Sequence, residues 1–244
     1  MTLLLAALAL TLQAAPAAVV PAAQTAADPV RKARALELAR MLNSAEMTRD
    51  QTERLLRDTL PGVLAADPEF AAMEKEYPGI TQAMLDAMRV IVIDEVMQSL
   101  PTLWERIGVI YAEEMTTADL DAAIAFFRRP AGARLIESMT READFSQVLK
   151  TLIADDEAKV TAGTLRTEMR TSATKTLGKL NVDDRNALVN FGWSPAGVKI
   201  RTANARVMPV VAAWSNETTP EGDARMEKAM ADVVAKFMSK EAKQ

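Results

Sequence analysis

Residues 126–135 read FFRRPAGARL and residues 191–200 read FGWSPAGVKI: a Phe, four positions on a Pro-Ala-Gly, then a basic and an aliphatic residue, twice in one chain. At an offset of 65, residues 116–135 and 181–200 pair Asp119 with Asp184, Ala122 with Ala187, Phe126 with Phe191, Pro130 with Pro195, Ala131 with Ala196 and Gly132 with Gly197. Ile124 and Val189, Arg134 and Lys199, and Leu135 and Ile200 are conservative pairs. Several residue types repeated at fixed distances predict a duplicated unit.

Each position has a mechanical meaning. Thr116 and Asn181 are N-cap candidates, with Asp119 and Asp184 at N3 facing the free N–H groups and the positive end of the helix dipole. Met115 and Leu120 add a hydrophobic staple to the first copy; the second has Leu180 opposite Arg185 and lacks it. A helix of about three turns then carries Leu120, Ala123, Ile124 and Phe127, or Leu188 and Phe191, inward. Pro130 and Pro195 stop that helix and open the next, because proline disfavours helical geometry in the residue before it. Gly132 and Gly197 fall at N3, where a missing side chain lets a helix approach closely, at a propensity cost of about 1 kcal/mol against Ala. The unit reads as helix, tight turn, helix. The rival is an anion site built from the N–H groups of Ala131, Gly132 and Ala133 with Arg128, Arg129 and Arg134. One glycine and no following Lys-Ser/Thr argue against it.

Outward from the corner, the chain reads as helix after helix. Asp28-Pro29, Asp67-Pro68, Ser194-Pro195 and Thr219-Pro220 each put a capping oxygen before a Pro whose missing N–H costs nothing in a first turn. Helical spacing runs through Leu38, Met41, Leu42 and Ala45 in a first helix, then Met84, Met88, Ile91 and Val92 in a long one. Trp104, Ile107, Tyr111 and Met115 follow Pro101. The run RVIVID at 89–94 has strand propensity but helical neighbours and no partner strand, so helix is expected. From Ala131 to about Lys179 one helix or two with a hinge fit the stripe Leu135, Ile136, Met139, Phe145, Val148, Leu149 and Ile153. A helix after Ser194 carries Val198, Ile200, Val207, Val210 and Val211 with Pro209 as a kink point. Residues 220–241 form an amphipathic closing helix with Met226, Met230, Val233, Val234, Phe237 and Met238 on one side. The expected fold is all-α: helical hairpins in a multi-helix bundle, with a duplicated helix-Pro-Ala-Gly-helix corner. It is a single domain over 29–244 in two halves, 29–145 and 146–244.

Composition narrows function mostly by exclusion. The chain has 244 residues, 49% of them hydrophobic and 25% charged, which suits a globular protein with a substantial core. A net charge of −4 with interspersed signs leaves no footprint for nucleic acid. Cys and His are absent, so thiolate chemistry, the Ser-His-Asp triad and His metal sites are excluded. Leu3 to Leu12 is an apolar run too short to span a bilayer and followed by small residues and prolines, which suits a secretory signal over 1–23 with cleavage after Ala14, Ala17 or Ala23. Its n-region has no Lys or Arg. Residues 24–28 close a low-complexity Ala/Pro linker.

Tyr111, Met115-Thr116, Asp119-Leu120, Phe126-Phe127, Pro130-Ala131-Gly132 and Arg134 resemble the signature of the bacterial secreted "domain of unknown function 2059" family, over roughly residues 85–150. Arg129 stands where that family has Ser; the second copy keeps a cap at Ser194. The resemblance implies an exported helical protein with no assigned activity, and it carries over no catalytic residues. The motif positions are therefore Tyr111, Thr116, Asp119, Leu120, Phe126, Phe127, Pro130, Gly132 and Arg134, with Asp184, Phe191, Pro195, Gly197 and Lys199 in the second copy.

Other chemistry is sparse. Glu113-Glu114, Asp155-Asp156 and Asp183-Asp184 have the residue types of a glycosidase pair, yet adjacent helical residues diverge by about 100° and such pairs are usually solvated faces. Asn216-Glu217-Thr218 fits a glycosylation sequon and also a polar turn. The fourteen methionines suit core filling better than a partner or lipid surface. No catalytic, cofactor-binding or metal residue is assigned, and no cofactor is expected. The expectation is an exported, periplasmic or secreted, non-enzymatic interaction module for an envelope protein or peptide. A carrier of a small apolar ligand or lipid is second, and a carboxylate hydrolase third. A module should have a filled core and an exposed apolar patch, a carrier an internal cavity.

Overall fold

The computed structural model describes residues 28–155 and 157–241, and every regular element among them is a helix. The expected signal segment at 1–23 and nearly all of the 24–28 linker lie outside the described residues. In chain order the helices are α1 (Pro29–Leu42), α2 (Ala45–Arg54), α3 (Leu60–Ala65), α4 (Pro68–Glu76), α5 (Ile80–Glu114) and α6 (Thr117–Arg128). There follow α7 (Pro130–Glu142), α8 (Ser146–Ala154), α9 (Ala162–Lys179), α10 (Val182–Trp193), α11 (Pro195–Ser215) and α12 (Pro220–Glu241). Leu55–Thr59 widens into a π turn that joins α2 to α3.

The four capped prolines start helices as expected. Asp28 accepts from the Val30 N–H, Asp67 from Glu69 and Phe70, Ser194 from Gly197 and Thr219 from Gly222. The architecture hangs on α5, whose start is built by its neighbour. Gly79 adopts φ 90°, a left-handed turn that favours glycine, and both Glu74 carboxylate oxygens accept N–H groups there, from Gly79 at 2.7 Å and Thr81 at 3.0 Å. Those bonds hold the Glu74 carboxyl below the usual carboxylate range. Helices α1, α2, α3, α4, α11 and α12 all pack on α5, so elements from both halves of the chain share one core. Leu100, Leu103, Ile107 and Tyr111 are almost wholly buried along it. Each such side chain contributes about 1.5–3 kcal/mol on leaving water.

Three expectations are corrected. The first helix ends at Leu42, because Ser44 accepts the Met47 N–H and starts a new one, so Ala45 belongs to α2. Pro101 does not divide the long helix; α5 runs through it, and the exposed ring needs no room in the core. The proline-free stretch 131–179 is neither one helix nor two but three, since Asp144 accepts the Ser146 N–H to start α8 and Thr161 with Thr164 forms a capping box that starts α9. The 89–94 run is helical within α5, and α11 continues through Pro209.

Candidate functional site

Both Pro-Ala-Gly stretches are helix-to-helix corners with nearly the same backbone. The residue before each proline is extended, Arg129 at φ −74°, ψ 156° and Ser194 at φ −68°, ψ 157°. Its N–H returns to the matching phenylalanine carbonyl: Arg129 to Phe126 at 3.0 Å and Ser194 to Phe191 at 2.9 Å. Gly132 and Gly197 are required by that tightness. A Cβ on Gly132 would overlap the Phe126 carbonyl oxygen and stand 2.6 Å from Phe127 Cα; one on Gly197 would overlap the Phe191 oxygen and stand 2.9 Å from Gly192 Cα. The close approach is thus to the helix just ended.

The helix starts differ between the corners. Thr116 and Asp119 make a complete capping box, the Asp119 N–H donating to Thr116 Oγ1 and the Thr116 N–H to the Asp119 carboxylate. Met115 and Leu120 are buried beside it. Asn181 caps α10 through the Asp184 N–H at 2.8 Å, but the Asp184 carboxylate does not reach back to the Asn181 backbone. It is buried and takes two bonds from Arg134, at 2.7 and 2.5 Å, plus one from the Asn181 amide. The Arg134 guanidinium holds the Asp184 carboxyl below the usual carboxylate range, against the opposing effect of burial. Both groups stay charged as a clamp.

That clamp joins the two corners, which face each other. Helix α6 packs on α11 and α7 on α10, so the first helix of each corner lies against the second helix of the other. The matched residues Phe126 and Phe191 stack with ring centroids 4.0 Å apart and planes 1° apart, and Phe127 meets Phe191 edge-on at 5.5 Å. Tyr111, the first motif residue, is buried below, its hydroxyl 3.5 Å from Asn204 Oδ1 on α11, and burial pushes the phenol's pKa up. Lys199 and the two prolines are exposed.

Two of the three arginines of the alternative anion loop have carboxylate partners. Arg128 pairs with Glu37 of α1 and Arg134 with Asp184, while Arg129 is exposed. Of the acidic doublets, Glu113 and Glu114 both bind Arg206, Asp184 is in the clamp and Asp155 accepts the Glu157 N–H, while Asp156 lies outside the described residues. Among the described residues no group of three acidic, His or Cys side chains is placed to hold a metal. Asn216 is no open sequon. Its side chain accepts the Val160 N–H and donates to the carbonyls of Val160 and Ala212, pinning the loop before α9. A cleft between α5 and α12, lined by Ile91, Glu95, Gly222 and Met226, holds about 30 Å³, room for about one water and not an acyl chain.

The sequence did not mark the asymmetry between the outer faces of the corners. On the α6 side, α1 covers the helix: Ile124 is buried, and Arg34 pairs with Asp121 at 3.0 Å. On the α10 side the counterpart Val189 is 50% exposed, with Val182 at 68% and Trp193 at 79%. Val182, Asn186, Val189 and Trp193 form one stripe at helical spacing on the face away from the buried Asp184 and Leu188. The signal was available in the i, i+7, i+11 placing of Val182, Val189 and Trp193, but a core stripe has the same spacing.

Residues 105–143 match the family model described as "Uncharacterized protein conserved in bacteria (DUF2059)". The first corner lies within the DUF2059 match. The matched segment comprises the last turns of α5, all of α6, the Pro-Ala-Gly turn and α7. No curated protein and no solved structure matches the chain. Among the described residues no helix is long and apolar enough to cross a membrane.

Proposed function

We propose that this is an exported, non-enzymatic interaction module of the bacterial envelope, built on a duplicated corner, that docks a protein or peptide on the outer face of α10. The observation that carries the proposal is the uncovered stripe Val182, Val189 and Trp193, on a helix whose counterpart in the other corner is covered. Large apolar groups aligned on one outer face mark a contact surface more strongly than scattered ones. The α5–α12 cleft, with room for about one water, does not hold an acyl chain. Export rests on the Leu3–Leu12 run and its small-residue flank, and the non-enzymatic assignment on the absence of Cys and His. Shared backbone geometry and the stacked Phe126 and Phe191 favour duplication of the corner.

The test is a photo-crosslinking residue at exposed Asn190, beside the stripe, compared with one at exposed Val109 on α5, in cells fractionated before illumination. A protein adduct in the periplasmic fraction from position 190 and not 109, lost in Trp193→Lys, is the expected result. Lipid adducts alone, or a full-length chain in the cytoplasm, would refute the proposal.

A further inference from the structure

On the proposed docking face of α10 we infer that the occupant is a second copy of this chain, its α10 laid antiparallel across the first. This rests on the docking reading above and names the partner.

The covered corner shows what the uncovered one requires. Where α1 sits on α6, its Arg34 meets Asp121 and its Glu37 meets Arg128. At the matching positions α10 has Asn186 and Trp193. An occupant carrying charges as α1 does would bury them without partners, which is costly. The occupant must therefore offer a contact surface that is apolar and amide, without charge. α10 itself meets that description, since Val182, Asn186, Val189 and Trp193 carry no charge and are arrayed on one exposed face.

The flanks agree as well. In an antiparallel two-fold pair centred between Ala187 and Leu188, Val182 lies opposite the partner copy's Trp193 and Asn186 opposite its Val189. Asp183 comes alongside the partner copy's Asn190, an amide donor for a carboxylate, and Arg185 alongside its Gly192, which has no side chain to obstruct it. No like charges meet, and the two helix dipoles oppose. Each copy would lay its exposed Trp193 indole against the other copy's Val182.

The experiment is sedimentation equilibrium of the mature chain over a concentration series, with Val189→Glu and Trp193→Lys variants whose helicity is checked by circular dichroism. Both positions are exposed, so the fold should survive. Expected is a reversible dimer weakened at least tenfold by either substitution, and a photo-crosslink from Asn190 that joins two copies. A monomer at every concentration, or a dimer indifferent to both substitutions, overturns the inference. If in that case position 190 still captures another protein and Trp193→Lys abolishes the adduct, the docking proposal stands and only the identity of the partner falls; if position 190 captures nothing, both fall.

Discussion

Gly132 and Gly197 are fixed by their neighbours' carbonyls, not by an unusual backbone, because a Cβ at either would overlap the oxygen of the phenylalanine six residues back. Gly132→Ala and Gly197→Ala should each destabilise by about 1–3 kcal/mol, even though alanine is the better helix former. Thermal melts read this as about 2–4 °C per kcal/mol for a chain of this size. The turn residue gives the opposite lever. Ser194 caps α11 through Gly197 while Arg129 offers α7 no side-chain cap. Arg129→Ser should therefore stabilise by about 0.5–1 kcal/mol and Ser194→Ala cost about as much, in the same melts.

Between elements, the Arg134–Asp184 clamp makes α7 and α10 sensitive to acid. Asp184 titrates lower in the folded chain than in the unfolded one, so its contribution is complete above the ordinary carboxylate range and is lost as pH falls through the depressed folded value. Arg134→Gln removes the main cause of that depression. The variant should unfold at lower denaturant than wild type at pH 7, and the gap should narrow as pH is lowered below about 4. An unchanged gap down to pH 2 would show that the pair contributes nothing through charge. Elements marked by local chemistry were legible in sequence: four capped prolines, the Thr116 box and both corners. Contacts between elements were not. Asp184 looked like a cap partner because N3 carboxylates usually are, and only the fold brings Arg134 to it from 50 residues away. Likewise α8 and α9 were hidden because Asp144 and Thr161 start helices without a proline to advertise them. Nothing in the sequence singled out Trp193, because only the packing of the other helices leaves it outside.

At the scale of the whole molecule, the stripe and the core are separate properties. Trp193→Lys should leave stability within about 0.5 kcal/mol of wild type, as surface substitutions do, while changing association. A large drop in melting temperature would mean that Trp193 is structural after all. The architecture also divides the chain by how firmly it is held. Six helices lean on α5, yet α12 packs chiefly on α5, with only Gly222 buried among its described residues. Deuterium should therefore enter α12 through brief local detachments, long before it reaches the amides around Leu103 and Ile107, which open only when the entire chain does. By the same logic a protease added to the folded protein should trim it first from its carboxyl end, leaving a shortened chain with both corners still closed.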